Sequence, residues 1–315
     1  MRKYICCIIF IFCSQFSYSQ DIFDYLPFGL DSLARELIHK TGADSIADVW
    51  LEEFGLLGSS VNRDIPTNDK IENRHVLIIG NETYENPTPK VDFANIDARI
   101  FSQYAELTLG VPEQNIEFLK DATAGKMKAA IEKFINKMET SVRLGDNAEF
   151  IFYYAGHGHP SKDSVPYLIP TDVNSKNIIT YAINLHDFYK KIGDINPSRV
   201  TIFLDACFTG EYERSRSLWI KPRLETLYGN IIVFSASDLG KKAWPYPEEK
   251  HGIFTYFLLK KLQESAGDIT YNELAEYLIN KVDYQSVEIH AQHQVPSVNT
   301  SESIVNEWRE WKIYK

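Results

Sequence analysis

The chain has 315 residues, of which 44% are hydrophobic and 24% are charged, and its formal net charge at pH 7 is −10. These proportions are typical of a globular protein with a sizeable core, and they exclude a disordered, collagenous or low-complexity chain. The acidic balance also disfavours nucleic acids and anionic membrane surfaces as partners, because both bind clustered Lys and Arg side chains.

Residues 1–19 have the pattern of a signal peptide for export. A basic start at Arg2 precedes the apolar run 4–13, and Ser17 and Ser19 supply the small residues that a signal peptidase needs at alternate positions. About ten apolar residues are too few to cross a hydrocarbon core of about 30 Å. We therefore expect cleavage near Ser19, export to the periplasm or the extracellular space, and no membrane segment in the mature chain.

Four cysteines in an exported protein would suggest two disulfides, but their positions do not allow them. Cys6, Cys7 and Cys13 lie in the signal peptide and are lost with it. The mature chain keeps only Cys207, so no internal disulfide is possible.

Residues 20–73 differ in pattern from the rest of the chain. Apolar residues recur at helical spacing as far as Leu57, and a polar stretch follows from Gly58 to Asn73. This pattern predicts a short helical N-terminal region and a linker. We expect the region to pack against the main domain, with a role as a pro-segment as the alternative.

From His75 onward, strands alternate with helices. Continuous apolar runs predict buried strands at 75–79, 116–119, 150–154, 200–204 and 231–234. Apolar residues at helical spacing predict helices at 93–107, 123–138, 185–192, 252–262 and 270–282. Thr123 is expected to cap the second of these helices, and Thr270 with Glu273 forms a capping box at the start of the last one. The alternation predicts an α/β fold with a mostly parallel sheet covered by helices on both faces. In such folds, functional residues follow the carboxyl ends of strands.

Two of these strand ends carry a histidine and a cysteine. His157 lies in the segment 155–158 after one predicted strand, and Cys207 lies in the segment 205–210 after the next one. Since parallel strands end at the same edge of a sheet, the two side chains can meet. A cysteine nucleophile needs an imidazole nearby to move protons, and adjacent glycines leave backbone N–H groups open to a substrate oxygen. The pattern predicts acyl transfer.

The segments 153–158 and 205–210 resemble the two catalytic motifs of the caspase-like cysteine peptidases, including their usual separation of about 50 residues. Further matches are Gly80-Asn81 with Tyr84, Asn95 to Ala98, Pro166 to Asp172, Ser235 to Ser237 and Gly252 to Thr255. Within the family, the chain resembles the bacterial metacaspase-like branch more than the animal caspases. The resemblance implies a three-layer caspase-like sandwich with a mostly parallel six-stranded sheet at 74–300, followed by a C-terminal segment at 301–315.

The resemblance also implies the catalytic roles. Cys207 would attack the scissile carbonyl, and His157 would protonate the leaving amine and later activate water. The backbone N–H groups of Gly158 and Cys207 would hold the oxyanion. No cofactor is required.

The same resemblance implies a substrate pocket lined by Asp97 and Asp205, with Ser235 as a further substrate contact. Animal caspases have Gln at the position of Asp205, whereas metacaspases use the matching aspartate. Two carboxylates in a partly desolvated pocket favour a guanidinium or ammonium group, so we expect cleavage after Arg or Lys. The alternative roles are a turn carboxylate for Asp205 and a first-turn helix acid for Asp97.

Some residues depart from the family pattern or from metal-site patterns. Phe208 replaces the histidine that commonly follows the metacaspase nucleophile, and Ala155 replaces a frequent serine. The pair His157 and His159 lacks further ligands at suitable spacing, so no metal site is expected, and His290 is interpreted as a surface residue. Some metacaspases are activated by calcium, but no acidic loop here is specific enough to assign it.

The connection 211–228 follows the nucleophile and contains basic residues that the expected specificity would select, namely Arg214, Arg216, Lys221 and Arg223. It is a candidate for self-cleavage, and the alternative is an uncut solvated loop. For the whole chain, two other functions stay open. One is a catalytically silent caspase-like binding module, and the other is an amidase acting on small molecules or cell-wall peptides.

Overall fold

The computed structural model describes residues 59–85, 88–161, 165–174, 177–208, 227–237 and 241–314. The signal peptide, the helical N-terminal region and nearly all of the proposed self-cleavage segment lie outside these residues. A compact unit begins at Ser60 and extends to the end of the chain.

The described strands form a central sheet with two small additions. In chain order they are β1 (Arg74–Gly80), β2 (Ile116–Lys120), β3 (Glu149–Pro160), β4 (Pro166–Leu168), β5 (Ile183–Asn184), β6 (Arg199–Cys207), β7 (Ile231–Ser235), β8 (Pro245–Tyr246), β9 (His251–Gly252) and β10 (Ser297–Thr300). The main sheet has six strands in the order β10-β7-β6-β3-β1-β2, and β10 alone among them runs antiparallel to its neighbour. The end of β3 also pairs with β4, which pairs with β5, and β8 and β9 form a separate hairpin. The mostly parallel six-stranded sheet is confirmed.

Helices cover both faces of this sheet. In chain order they are α1 (Ala94–Leu107), α2 (Ala124–Leu144), α3 (Ile178–Tyr181), α4 (Leu185–Ile195), α5 (Ile253–Ser265) and α6 (Tyr271–His290). One face packs against α1, α5 and α6, and the other packs against α2 and α4. No helix in the described ranges has the length and apolar character that a membrane-spanning helix needs.

The strand β3 illustrates why the sheet is buried on both faces. Ile151 and Tyr153 contact the core beneath α1, α5 and α6, whereas Phe150, Phe152 and Tyr154 contact the core beneath α2 and α4. Because alternate residues point to opposite faces and both faces are covered, the strand is a continuous apolar run. The predicted strand ended at 154, but the structure continues it to Pro160, so the segment containing His157 is itself part of the strand.

The two predicted helix caps have different outcomes. The capping box forms as predicted, since the Thr270 side chain accepts from the N–H of Glu273 and the Glu273 carboxylate accepts from the N–H of Thr270. Thr123 does occupy the cap position of α2, but its side chain makes no capping hydrogen bond. The N–H of Ala124 donates instead to Asp172 at 2.7 Å, so a contact distant in sequence replaces the local one.

Residues 60–71, which the sequence assigns to a linker, lie along α1 and α5. Tyr104 of α1 donates its hydroxyl to the Val61 carbonyl at 2.8 Å, and Thr108 donates to the Pro66 carbonyl at 2.7 Å. Val61 is fully buried in the main core. The predicted linker is therefore anchored to the compact unit along this part of its length.

A charged network joins three strands at the edge where they begin. Glu149, the first residue of β3, forms ion pairs with Arg74 of β1 and with Arg199 of β6. Arg74 is 1% exposed, and it also donates to the Leu109 carbonyl at 2.6 Å. The two guanidinium groups hold the pKa of Glu149 below its ordinary value, against the opposing effect of burial.

We expect the substitution Glu149→Gln to destabilise the fold by about 3 kcal/mol, because it leaves the buried Arg74 charge without its carboxylate. The measurement is urea unfolding at pH 7. The midpoint should fall, while the slope of the unfolding free energy against urea concentration should stay unchanged. Since the folded pKa of Glu149 is depressed, its contribution is present above the unfolded pKa and is lost as the pH falls through the folded pKa. The control is Glu117→Gln, which breaks a pair with the exposed Lys133. It should cost under about 1 kcal/mol, because the Lys133 charge stays in contact with solvent. Equal losses in the two variants would contradict this assignment.

Candidate active site

The register of the sheet places the two predicted catalytic residues side by side. The strands β3 and β6 are parallel neighbours, and His157 is the direct Cα partner of Cys207. Ala155 is likewise the partner of Asp205 two positions earlier. A separation of 50 positions in sequence thus becomes one inter-strand spacing of about 4.8 Å.

His157 is held by the loop between β1 and α1. Its backbone N–H donates to the Tyr84 hydroxyl at 2.8 Å, and its ring lies 4.7 Å from the Tyr84 ring. The ring nitrogen Nε2 lies 2.8 Å from the Pro89 carbonyl oxygen. Because a carbonyl only accepts, Nε2 carries the proton in this contact. The neutral imidazole then has its lone pair on Nδ1, and burial favours this neutral form by lowering the pKa of His157.

The Cys207 sulfur contacts the backbone of the segment that precedes β8. The N–H of Ala243 donates to Sγ across 2.7 Å, and Sγ lies 3.4 Å from the Ala243 carbonyl oxygen. A backbone N–H directed at a sulfur favours the thiolate, which is the nucleophilic form of cysteine. Cys207 is partly exposed.

Two glycines allow the backbone to approach closely around His157. Gly156 has a φ of +156°, and a Cβ atom there would lie 2.7 Å from the Tyr154 hydroxyl oxygen and 2.8 Å from that of Tyr84. A Cβ atom on Gly158 would lie 2.6 Å from the Phe208 ring and 2.7 Å from the Cys207 carbonyl oxygen. The predicted oxyanion residue Gly158 therefore lies directly against the segment of Cys207. Phe208, which departs from the family pattern, is a buried core residue that fills the space beside this glycine.

A pocket of about 210 Å³ opens beside the two residues. His157, Cys207 and both predicted specificity residues, Asp97 and Asp205, line it. Its remaining walls come from the loop before α1, the end of β3 and the segment before β9, and include Lys90, Asp92, Ala243, Trp244 and Gly252. Ser235, the third predicted substrate contact, lies on β7 opposite Leu204, outside the described lining of this pocket.

The carboxyl group of Asp97 is fully engaged by the residues of β9. Oδ1 lies 2.5 Å from Nδ1 of His251, and Oδ2 accepts the N–H of Gly252 at 2.9 Å. Asp97 is 2% exposed, and burial raises its pKa well above the ordinary value. Burial also lowers the pKa of His251 to about 4.

Asp205, which also lines the pocket, has a different environment. Both hydrogen bonds that it accepts from described residues end on Oδ2, from the Thr255 hydroxyl at 2.7 Å and from the Thr255 N–H at 3.2 Å. Burial, and secondly the nearby Asp97, raise the pKa of Asp205 to about 7. A Cβ atom on Gly252 would lie 2.5 Å from Asp205 Oδ2 and 3.1 Å from Asp97 Oδ2, so a glycine is required between the two carboxyl groups.

Several residues around the pocket carry no signal in the sequence. Pro89 and Ala243 act through backbone atoms, which residue types do not reveal. His290, interpreted from the sequence as a surface residue, stacks on Trp244 at 4.8 Å and lies 2.7 Å from the Pro245 carbonyl through Nε2. It therefore supports the wall of the pocket from the end of α6.

The six-stranded sheet, the helices on both faces and the neighbouring His157 and Cys207 define a caspase-like α/β protein. The chain belongs to the caspase domain family, whose model matches residues 73–304. Similar solved structures include Caspase-1 from Spodoptera frugiperda, with a TM-score of 0.53 and 14% identity over 76% of this chain and 90% of that chain. Protein GSU0716 from Geobacter sulfurreducens is also similar, with a TM-score of 0.51 and 15% identity over 73% of this chain and 93% of that chain. No curated protein matches the chain. At these identities, the likeness to the solved structures shows the fold alone.

Proposed function

We propose that the chain is an exported cysteine endopeptidase that hydrolyses the peptide bond after Arg or Lys. The observation that carries the proposal is the register of β3 and β6, which pairs His157 with Cys207 beside a pocket lined by two carboxyl groups. Membership of the caspase domain family supports peptidase chemistry.

The first half of the reaction forms a thioester. The Cys207 sulfur attacks the carbonyl carbon before the cut, and the thiol proton passes to Nδ1 of His157, whose Nε2–H is engaged by Pro89. The N–H groups of Gly158 and Cys207 stabilise the oxyanion. As the C–N bond breaks, the proton on His157 moves to the leaving amine and the acyl group stays on sulfur.

The second half releases the acid. A water molecule attacks the thioester carbon and gives a proton to His157. The C–S bond breaks, and the sulfur regains its proton from the imidazolium. Every proton transfer in this cycle uses His157, so no third side chain and no cofactor is required.

Specificity for a basic residue follows from the pocket. Asp205 and Asp97 offer carboxyl oxygens in a site shielded from water, and a charge-assisted hydrogen bond in such a site compensates for the lost hydration of a guanidinium or ammonium group. An acidic side chain would instead face two carboxyl groups, so an aspartate before the cut is disfavoured.

The test is hydrolysis of four peptides that differ only in the residue before a reporter amide: Arg, Lys, Asp or Gln. We expect release from the Arg and Lys peptides, with reduced Cys207 verified by thiol titration. Release only after Asp would retain the peptidase and overturn the pocket assignment. No release from any of the four would favour the silent binding module, or an amidase if a small-molecule or cell-wall amide is cleaved instead.

Export is the second part of the proposal. Expression of the full chain with its own leader, followed by cell fractionation and N-terminal sequencing, should give a product outside the cytoplasm that begins near Gln20. A product that retains Met1 in the cytoplasm would contradict it.

We also expect self-cleavage within 211–228 after a basic residue. Purified wild-type protein, incubated under reducing conditions, should convert to two fragments whose junction maps to Arg214, Arg216, Lys221 or Arg223, whereas Cys207→Ala should stay intact. Mixing catalytic amounts of wild type with Cys207→Ala distinguishes cleavage within one chain from cleavage between chains. A single intact band for both proteins would show that this connection is not cut.

A further inference from the structure

The two carboxyl groups of the pocket differ in what surrounds them. Both oxygens of Asp97 are occupied, by His251 and by Gly252, whereas the hydrogen bonds to Asp205 leave Oδ1 for a ligand. The difference suggests that the two aspartates have different tasks in binding a basic side chain.

His251 connects the pocket to the segment that precedes the first strand. It is fully buried, with Nδ1 at 2.5 Å from Asp97 Oδ1 and Nε2 at 2.8 Å from the side-chain oxygen of Asn62. Since the Asn62 oxygen only accepts, Nε2 carries a proton. One further proton lies between Nδ1 and Asp97. Whichever of these two atoms holds it, the pair of Asp97 and His251 has a net charge of zero.

Asn62 is itself held in place by the core. Its neighbour Val61 is fully buried, and the Val61 carbonyl accepts from Tyr104 of α1. On the other side, the Gln263 side chain of α5 donates to the carbonyls of Ser60 at 3.1 Å and Arg63 at 2.6 Å. The position of the Asn62 oxygen is thereby fixed relative to the pocket.

We propose that Asn62 and His251 are positioning residues that keep Asp97 electrically neutral, so that the pocket offers one negative charge, on Asp205, to one basic side chain. This inference rests on the proposed function and identifies a specificity device within it. Asp97 then forms an uncharged wall of the pocket, and Asp205 supplies the counter-charge. A pocket with two ionised carboxylates would hold an uncompensated charge even when a single Arg or Lys is bound.

Among the described residues, the charged and titratable groups around His251 are Asp97, Asp205, Glu249, Arg99 and the phenol of Tyr256, whose ring centroid lies 6.5 Å from that of His251. Glu249 and Arg99 have opposite charges and act on the imidazole in opposite directions. The shared proton between His251 and Asp97 therefore determines the charge on this wall.

The first test needs no catalysis. In Cys207→Ala protein labelled with 15N in its histidine rings, the His251 signals are identified by their loss in an added His251→Asn substitution. We expect Nε2 to be protonated and the ring signals to stay constant between pH 5 and pH 8. Titration of His251 near the ordinary histidine pKa of about 6.5 would overturn the proposal.

The second test is the pH dependence of kcat/KM for the Arg peptide. In wild type we expect the acid limb of this curve to contain the ionisations of Asp205 and of the catalytic His157. In His251→Asn, Asp97 becomes a further acid coupled to Asp205, so the acid limb should gain one step relative to wild type. At pH 6, KM should rise about tenfold while kcat stays within about twofold, because both ring nitrogens of His251 are directed at Asp97 and Asn62 and the residue is not part of the pocket lining. An acid limb identical to that of wild type would contradict the proposal.

Two further variants separate positioning from folding. Asn62→Ala removes the side-chain oxygen that accepts from Nε2–H of His251, at a position outside the pocket. It should change the acid limb of the kcat/KM curve in the same way as His251→Asn, but to a smaller extent. His293→Asn alters an exposed histidine and should give the wild-type curve. If His251→Asn and Asn62→Ala lower kcat but keep the wild-type number of steps in the acid limb, these two residues have a structural role only. If wild type cleaves neither Arg nor Lys peptides, the proposed function fails, and the histidine spectra still decide the charge state of the Asp97–His251 pair.

Discussion

Substituting Cys207 with alanine is expected to lower kcat/KM for the Arg peptide by at least about a thousandfold, because the thioester then has no sulfur on which to form. His157→Ala should produce a loss of at least about a hundredfold, since it removes the group that moves protons in the proposed cycle. Both are measured by release of the reporter amide at pH 7.5 under reducing conditions.

The control for these variants is His186→Ala, which replaces an exposed histidine of α4 and should retain wild-type activity. All four proteins should unfold at similar urea concentrations, so that activity can be compared at equal folded fraction. Substantial hydrolysis by Cys207→Ala would show that another group, or a contaminating enzyme, performs the reaction.

The substitution Asp205→Asn is expected to lower kcat/KM for the Arg peptide by about a hundredfold or more, mostly through KM. It removes the counter-charge of the ligand from a buried site, a loss that typically costs 2–5 kcal/mol. Because the pKa of Asp205 is raised to about 7, wild-type activity toward Arg should increase as the pH rises through this value. A matched peptide with citrulline, the uncharged analogue of Arg, should not show this dependence on Asp205.

The same carboxyl group should reduce stability in the absence of a ligand. Its folded pKa lies above the unfolded value, so its stabilising contribution is complete below about pH 4 and is lost as the pH rises through about 7. Asp205→Asn should therefore unfold later than wild type at pH 8, by up to about 4 kcal/mol, and should match it near pH 4. The control is Asp194→Asn, which alters an exposed carboxylate paired with Lys190 outside the pocket lining. It should change kcat/KM by no more than about threefold and the free energy of unfolding by no more than about 1 kcal/mol. A less stable Asp205→Asn at pH 8 would contradict the assigned pKa.

The sequence alone predicts the five parallel strands well, because a strand buried on both faces is a continuous apolar run such as Val200 to Leu204. It also predicts which strand ends meet, since parallel strands finish at one edge. The register then places His157 opposite Cys207 without any information from the loops.

Other features depend on partners that are distant in the sequence. The strand β10 (Ser297–Thr300) is polar and half-exposed, and it forms because it pairs with β7, not because of its own composition. His251 has no pattern of its own and becomes informative only when its two nitrogens are seen against Asp97 and Asn62. Local chemistry does not determine which carboxylate is neutralised, because the neutralising group comes from another element.

The anchoring of residues 60–71 has a consequence for where the domain is taken to begin. The family model starts at residue 73 and ends at 304, yet Val61, Trp308 and Ile313 all belong to the main core. A fragment cut at the family boundaries would expose apolar surface at both ends and would lack the acceptor of His251. For this protein, the packed core extends beyond the region by which its family is identified.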